Sequence, residues 1–197
     1  MPLSQFPWIT LGRRETSDEF FEKCREQRSR YELLAQKPLI SVVVPLVEDV
    51  SRAQLEDTLR ALELQSYPNV EVWLLYHKDQ AALLPTDRQF VSLKLEVCEV
   101  TLDSWQSAAS EGFRKCRGEW AGLVMPGDVL SPAALFLMIS ESKKSPVKDI
   151  LYSFEAEIEA RQIQRMLKKS EFGWFNLLHF DCVGRFWMAK TSRLLEV

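Results

Sequence analysis

The run Leu39-Ile40-Ser41-Val42-Val43-Val44-Pro45 constrains the fold more than any other segment. It carries no charge and is dense in β-branched residues. A strand of this kind suits burial on both faces, as inside a parallel sheet. A second apolar run, Val70 to Tyr76, follows one helical segment later. Parallel neighbours need a crossover, and the intervening residues supply one. Ser51 and Gln54 form a capping box, and Leu55, Leu59 and Leu62 step along one helical face. Tyr67-Pro68-Asn69 then breaks the helix.

The rest of the chain repeats that alternation. Residues 77–90 read as mixed loop with a short helix. Ser92 to Val100 sets Leu93, Leu95 and Val97 against Lys94 and Glu96, the pattern of a half-exposed strand. Asp103 or Ser104 caps a helix running to about Cys116. From Gly118 to Leu135 the sequence predicts a buried strand over Trp120–Met125, a tight loop, and a helix capped by Ser131 with Pro132 at its first position. That helix runs to about Ser142. Ile150–Glu157 reads as a strand, residues 159–169 as a basic helix, Phe172–Phe180 as a short aromatic stretch, and Arg185–Ala189 as a last strand. Strands alternating with capped helices predict an α/β architecture with a mainly parallel sheet flanked by helices. Residues 1–37 read as an N-terminal extension with one helix from Ser17 to Gln36, in which Thr16 and Glu19 fit a capping box. Residues 38–197 form one domain.

Composition narrows the function classes. A net charge of −3 gives no reason to expect nucleic acid or an anionic membrane surface as partner. Cys24, Cys98, Cys116 and Cys182 lack metal-ligand spacing and read as reduced thiols. With no leader segment and no bilayer-length apolar run, a cytoplasmic location is expected.

Several segments resemble family 2 glycosyltransferases, GT-A fold enzymes that use nucleotide sugars. Pro38 to Pro45 resembles the opening strand, whose terminal turn lines the nucleotide base; here only Pro45 of that turn matches. Leu62-Glu63-Leu64-Gln65-Ser66-Tyr67-Pro68-Asn69-Val70-Glu71-Val72 is similar to the family's helix–turn–strand segment, Gly118-Glu119-Trp120 to its Gly-Glu-Tyr, and Leu130-Ser131-Pro132-Ala133-Ala134-Leu135 to its downstream helix start. Gly112 matches the glycine of the Ala-Arg-Asn-x-Gly helix. Asp149 to Glu159 resembles the Tyr-Ser-Asp-Glu-Asp-x-Ile-Asp strand of the polysaccharide-assembly branch, and Val183-Gly184 the Ile-Gly strand entry.

The departures fall on positions that the resemblance assigns to the donor. The metal-binding Asp-x-Asp cluster corresponds to Met125, Pro126, Gly127 and Asp128, so only the outermost acid remains. Tyr76 and His77 stand where two aspartates bind the uracil or ribose. The chain stops at Val197, before the family's acceptor region and catalytic-base carboxylate are supplied.

The resemblance therefore implies a degenerate domain with no catalytic residue, metal or cofactor expected, working as a binding or scaffolding module for an unidentified protein partner. A divergent active transferase is the alternative. It would use Mg2+ or Mn2+ with a nucleotide sugar and rebuild the metal site from Asp128, Glu155 or Glu157. A third alternative is a nucleotide sensor whose donor-base cleft is Pro45, Tyr76 and His77. Each residue also has an ordinary meaning: Glu155 and Glu157 as a charged strand face, His77 as a loop histidine, and the Arg161–Lys169 tract as a solvated helix face. His179 reads as packed or capping, and the aromatics near Trp174 as a protein-binding surface. The oligomeric state is not legible.

Overall fold

A computed structural model describes residues 34–46, 49–86, 89–101, 104–144, 148–159, 162–167, 169 and 183–196. The expectations for Phe172–Phe180, Trp174, His179 and most of the 1–37 extension lie outside these residues. Of the helix predicted to reach Gln36, residues 34–36 are described and are not helical.

The predicted strands and crossovers form in order. They are β1 (Ile40–Pro45), α1 (Arg52–Glu63), β2 (Val70–Tyr76), a 3-10 helix (Lys78–Leu83), β3 (Lys94–Glu99), α2 (Trp105–Lys115), β4 (Trp120–Leu123) and α3 (Ala134–Lys144). Then come β5 (Ile150–Tyr152), β6 (Glu155–Glu159), β7 (Gln162–Leu167), β8 (Trp187–Lys190) and α4 (Thr191–Leu194). The main sheet has the order β3-β2-β1-β4-β8-β5. β1 pairs in parallel with both β2 and β4, and β2 with β3. β8 alone runs the other way, antiparallel to β4 and β5. β6 and β7 make a separate antiparallel pair.

Alternation along β1 distributes the core. Ile40, Val42 and Val44 join Leu55, Leu59 and Leu62 of α1 and Leu135, Met138 and Ile139 of α3 in one cluster. Val43 faces the other way and packs with Leu75, Leu123, Val100, Ala108 and Ala109. Thus α1 and α3 cover one face and α2 covers the other. Gly112 lets α2 lie against the sheet, since a Cβ there would come within 2.6 Å of Leu75 and 2.8 Å of Val43.

The Gln65-Ser66-Tyr67-Pro68 turn joins layers. The Gln65 amide donates to the carbonyls of Ala61 and Ser131, and its oxygen accepts the backbone N–H of Leu135 in the first turn of α3. Ser66 N donates to Pro132 O at 2.7 Å, and the Tyr67 hydroxyl donates to Pro38 O just before β1. The turn therefore fixes where α1 ends, where α3 starts and where β1 enters.

Across the sheet, at the N-terminal ends of the strands, Glu71 is fully buried. It accepts from Ser41 Oγ at 2.6 Å, from the backbone N–H of Arg117 at 2.8 Å and from the Arg117 guanidinium at 2.7 and 2.8 Å. Burial works against the Glu71 carboxylate, yet these donors outweigh it and hold its pKa below the usual range.

Three expectations are corrected. The basic helix placed over residues 159–169 is replaced, where it is described, by strand: β7 (Gln162–Leu167) pairs with β6, setting Arg165 opposite Glu157. The helix-like spacing of the basic residues loses to a cross-strand register that opposes charges. The single strand over Ile150–Glu157 is two strands in different sheets, split at Ser153-Phe154. The helix placed at Pro132 starts at Ala134, preceded by a turn whose Ser131 carbonyl accepts the Ala134 N–H at 2.9 Å.

Candidate functional site

The order of the parallel strands reverses at β1: β2 and β3 lie on one side and β4 on the other. In open α/β sheets ligands sit beyond the carboxyl ends of the strands at such a switch point. Here that position is bounded by Pro45 at the end of β1 and by the loop after β4.

That loop is a tight turn. Pro126 and Gly127 are its central residues, Gly127 has φ +93°, and Asp128 N donates to Met125 O at 3.0 Å. Proline followed by a positive-φ glycine is the signature of a type II turn. Gly127 N donates to Thr58 Oγ1 at 2.9 Å, and the same hydroxyl donates to Asp128 O at 2.9 Å. The turn is thus riveted to α1 by Thr58, which is buried. This fixes the Asp128 backbone at the mouth of the switch point.

Topology then brings two other segments to Asp128. β8 runs antiparallel to β4 with Trp187 opposite Leu123, so the residues just before β8 lie beside the loop just after β4. β5 pairs with β8 with Tyr152 opposite Trp187, so the residues after β5 arrive at the same edge. Arg185 and Glu155 are those residues.

Arg185 Nε donates to Asp128 Oδ1 at 2.8 Å and to Oδ2 at 3.0 Å. Glu155 accepts from the backbone N–H of Arg185 and from Lys169 Nζ, the latter at 2.5 Å. Lys169 also donates to Val183 O at 2.5 Å. The Lys169 and Glu155 side chains are only 7% and 18% exposed, whereas Arg185 is 60% exposed. Gly184 has φ +71°, and a Cβ there would collide with Lys169 Nζ and Glu155 Oε1. The two acids therefore converge on one arginine, with Asp128 on its guanidinium and Glu155 on its backbone.

The other predicted residues make contacts of their own. Glu157 is exposed in the β6–β7 hairpin. The Tyr76 hydroxyl donates to Glu99 of β3 at 3.4 Å, and burial together with the Glu99 charge raises its pKa. His77 is the N-cap of the 3-10 helix: its N–H donates to Gln80 Oε1 at 2.9 Å, and its Nδ1 accepts weakly from Asp79 N at 3.5 Å. Pro45 pairs with Leu75 in the sheet. Met125 packs on the cluster of Val43, Leu75 and Leu123, with Trp187 alongside. Sequence reasoning missed Arg185 as a site residue and placed Lys169 on a solvated helix face, whereas its side chain is buried against Glu155. The usable signal was Gly184-Arg185 at the entry to a last strand.

As folded, this donor set does not fit a divalent cation. Both Asp128 oxygens face a guanidinium, and Glu155 already accepts from an ammonium and an amide. Met125 and Gly127 carry no side-chain oxygen, and hard cations need several oxygen ligands. Among the described residues no group of three or more His, Cys, Asp or Glu side chains is placed to hold a metal.

Comparison with solved structures places the architecture. S. aureus TarS, as a 1–349 fragment in complex with UDP, superposes with a TM-score of 0.63 at 16% identity, covering 80% of this chain and 48% of that one. The mannosyltransferase PcManGT from Pyrobaculum calidifontis, solved with GDP-Man and Mn2+, gives 0.58 at 15% identity, covering 90% and 54%. The fold is GT-A. By sequence, the GT-A chain is 33% identical over 172 residues to the O-antigen biosynthesis protein RfbC of Myxococcus xanthus, covering 83% of this chain but only 13% of that protein. No protein-family model matches the chain. Among the described residues no helix is long and apolar enough to cross a membrane.

Proposed function

We propose that this chain is a family 2-type, glycosyltransferase-like domain of polysaccharide assembly that lacks metal-dependent sugar transfer and serves as a binding module. The observation that carries this reading is the engagement of Asp128 by Arg185. A nucleotide-sugar transferase of the metal-dependent kind needs a cation to neutralise the departing diphosphate. The acid that would hold it is tied up in an internal ion pair. The relationship to RfbC supports the polysaccharide context, and the functional unit is taken as residues 38–197 preceded by the 1–37 extension. Its partner is a protein of the same assembly system, met in the cytoplasm.

The test is sugar transfer from UDP- and GDP-sugars in the presence of Mn2+. No turnover above the uncatalysed rate is expected, and metal-dependent turnover overturns the reading.

One observation favours a second reading. Asp128 and Glu155 both reach the edge beyond β4, where a divergent transferase would need its acids. In this case Asp128→Ala abolishes transfer; unchanged transfer removes the second reading.

A further inference from the structure

We propose that Arg185 takes the place of the divalent cation, so that the switch-point site binds a diphosphate-bearing ligand without metal. The inference rests on the reading of the domain as a binding module and names the ligand class of its site.

The argument begins with what the site presents. A metal site presents converging carboxylate oxygens. Here the two acids that reach the edge are each matched by a cation, Asp128 by Arg185 and Glu155 by Lys169. The cluster has no excess negative charge to attract a cation. Its exposed member is the guanidinium, at 60% exposure against 24% for Asp128.

Arg185 meets Asp128 through Nε, with that one N–H shared between the two carboxylate oxygens. A guanidinium has four further N–H donors, on Nη1 and Nη2, and a planar edge matched to two phosphate oxygens. Asp128 fixes the orientation of the plane. Glu155 and the buried Lys169 fix the backbone from which it projects. Gly184 is the residue that fits between them, since any Cβ strikes both. An arginine pinned at side chain and backbone loses little further freedom on binding an anion. It also sits beside the positive-φ turn after β4, at the place the architecture reserves for ligands.

Isothermal titration calorimetry on the full chain tests this with UDP, GDP, pyrophosphate and uridine, each in EDTA and in Mn2+. UDP or GDP is expected to bind in EDTA at least as tightly as in Mn2+, which itself occupies the diphosphate oxygens, pyrophosphate to compete with it, and uridine to bind far more weakly. Arg185→Gln is expected to lower affinity about tenfold or more, and Arg185→Lys, which keeps charge but loses the planar fork, by a smaller factor. Circular dichroism confirms folding; should Arg185→Gln fail to fold, Arg185→Lys carries the test. Binding that requires Mn2+, unchanged affinity in both variants, uridine binding as well as UDP, or no binding of any probe at millimolar concentration each overturns the inference. These failures leave the non-catalytic reading standing. Metal-free sugar transfer would overturn that reading and leave the role of Arg185 intact.

Discussion

Arg185 Nε lies 2.8 Å from one oxygen of Asp128 and 3.0 Å from the other, across 57 residues of sequence. The antiparallel placement of β8 between β4 and β5 makes the contact, because it returns the chain to the edge where the loop after β4 ends. Asp128, the one acid of the loop after β4, is here engaged by an arginine.

Gly184 is the hinge of that arrangement. Its φ of +71° already disfavours any side chain, and a Cβ would displace Lys169 from Glu155. Gly184→Ala is expected to cost about 1–3 kcal/mol in denaturant unfolding. In the calorimetric experiment it should also weaken UDP binding, though it removes no group that touches the ligand.

Gln65 is expected to be worth more than its polar surface suggests. Gln65→Ala leaves the Leu135 N–H without its acceptor in a buried position. The loss should be about 1–3 kcal/mol by urea unfolding. Gln65→Glu keeps the acceptor but loses the amide donors to Ala61 and Ser131, and should also destabilise.

Glu71 sets the acid limit of stability. Its folded-state pKa is lowered, so its contribution is fully present above the unfolded carboxylate pKa and is lost as pH falls through the folded value. Stability measured from neutral pH downward should therefore drop below the ordinary glutamate range. Glu71→Gln should flatten that drop while destabilising the neutral protein by about 1–3 kcal/mol, because the buried carboxylate's bonds to Ser41 and the Arg117 N–H are weakened while the half-exposed Arg117 keeps Glu96.

Cys116 should be an inert thiol. Burial pushes its pKa up to about 12, with a hydrogen bond to Ser41 opposing and the nearby Glu71 charge adding to the rise. Alkylation by iodoacetamide at mildly alkaline pH should leave Cys116 unmodified in the native protein and modify it after denaturation. Rapid native labelling at Cys116, mapped by mass spectrometry, contradicts the packing described.

What the sequence revealed was local or periodic. The Ser51–Gln54 capping box is formed as expected, with the Gln54 oxygen accepting from Ser51 N at 2.9 Å. The alternation of Val42, Val43 and Val44 divides the two core clusters. The Gln65–Pro68 turn was recognised as structural, but its long-range bonds to Leu135 and Pro38 have no local signature. The basic tract after Glu159 was misread because four-residue spacing of cations fits a helix, while the deciding fact was the acidic strand beside it. Arg185 was invisible as a site residue for a similar reason. Its partner is chosen by strand order, and strand order is not written in any short segment.

The most direct test is Mn2+ binding followed by electron paramagnetic resonance of the free ion, on the native chain and on Asp128→Ala. The ion pair between Asp128 and Arg185 predicts that millimolar native protein leaves the free Mn2+ signal undiminished when added alone, and lowers it no further than UDP does in a protein-free control, and that Asp128→Ala behaves identically. Stoichiometric loss of that signal in the native chain, restored by Asp128→Ala, would contradict the account.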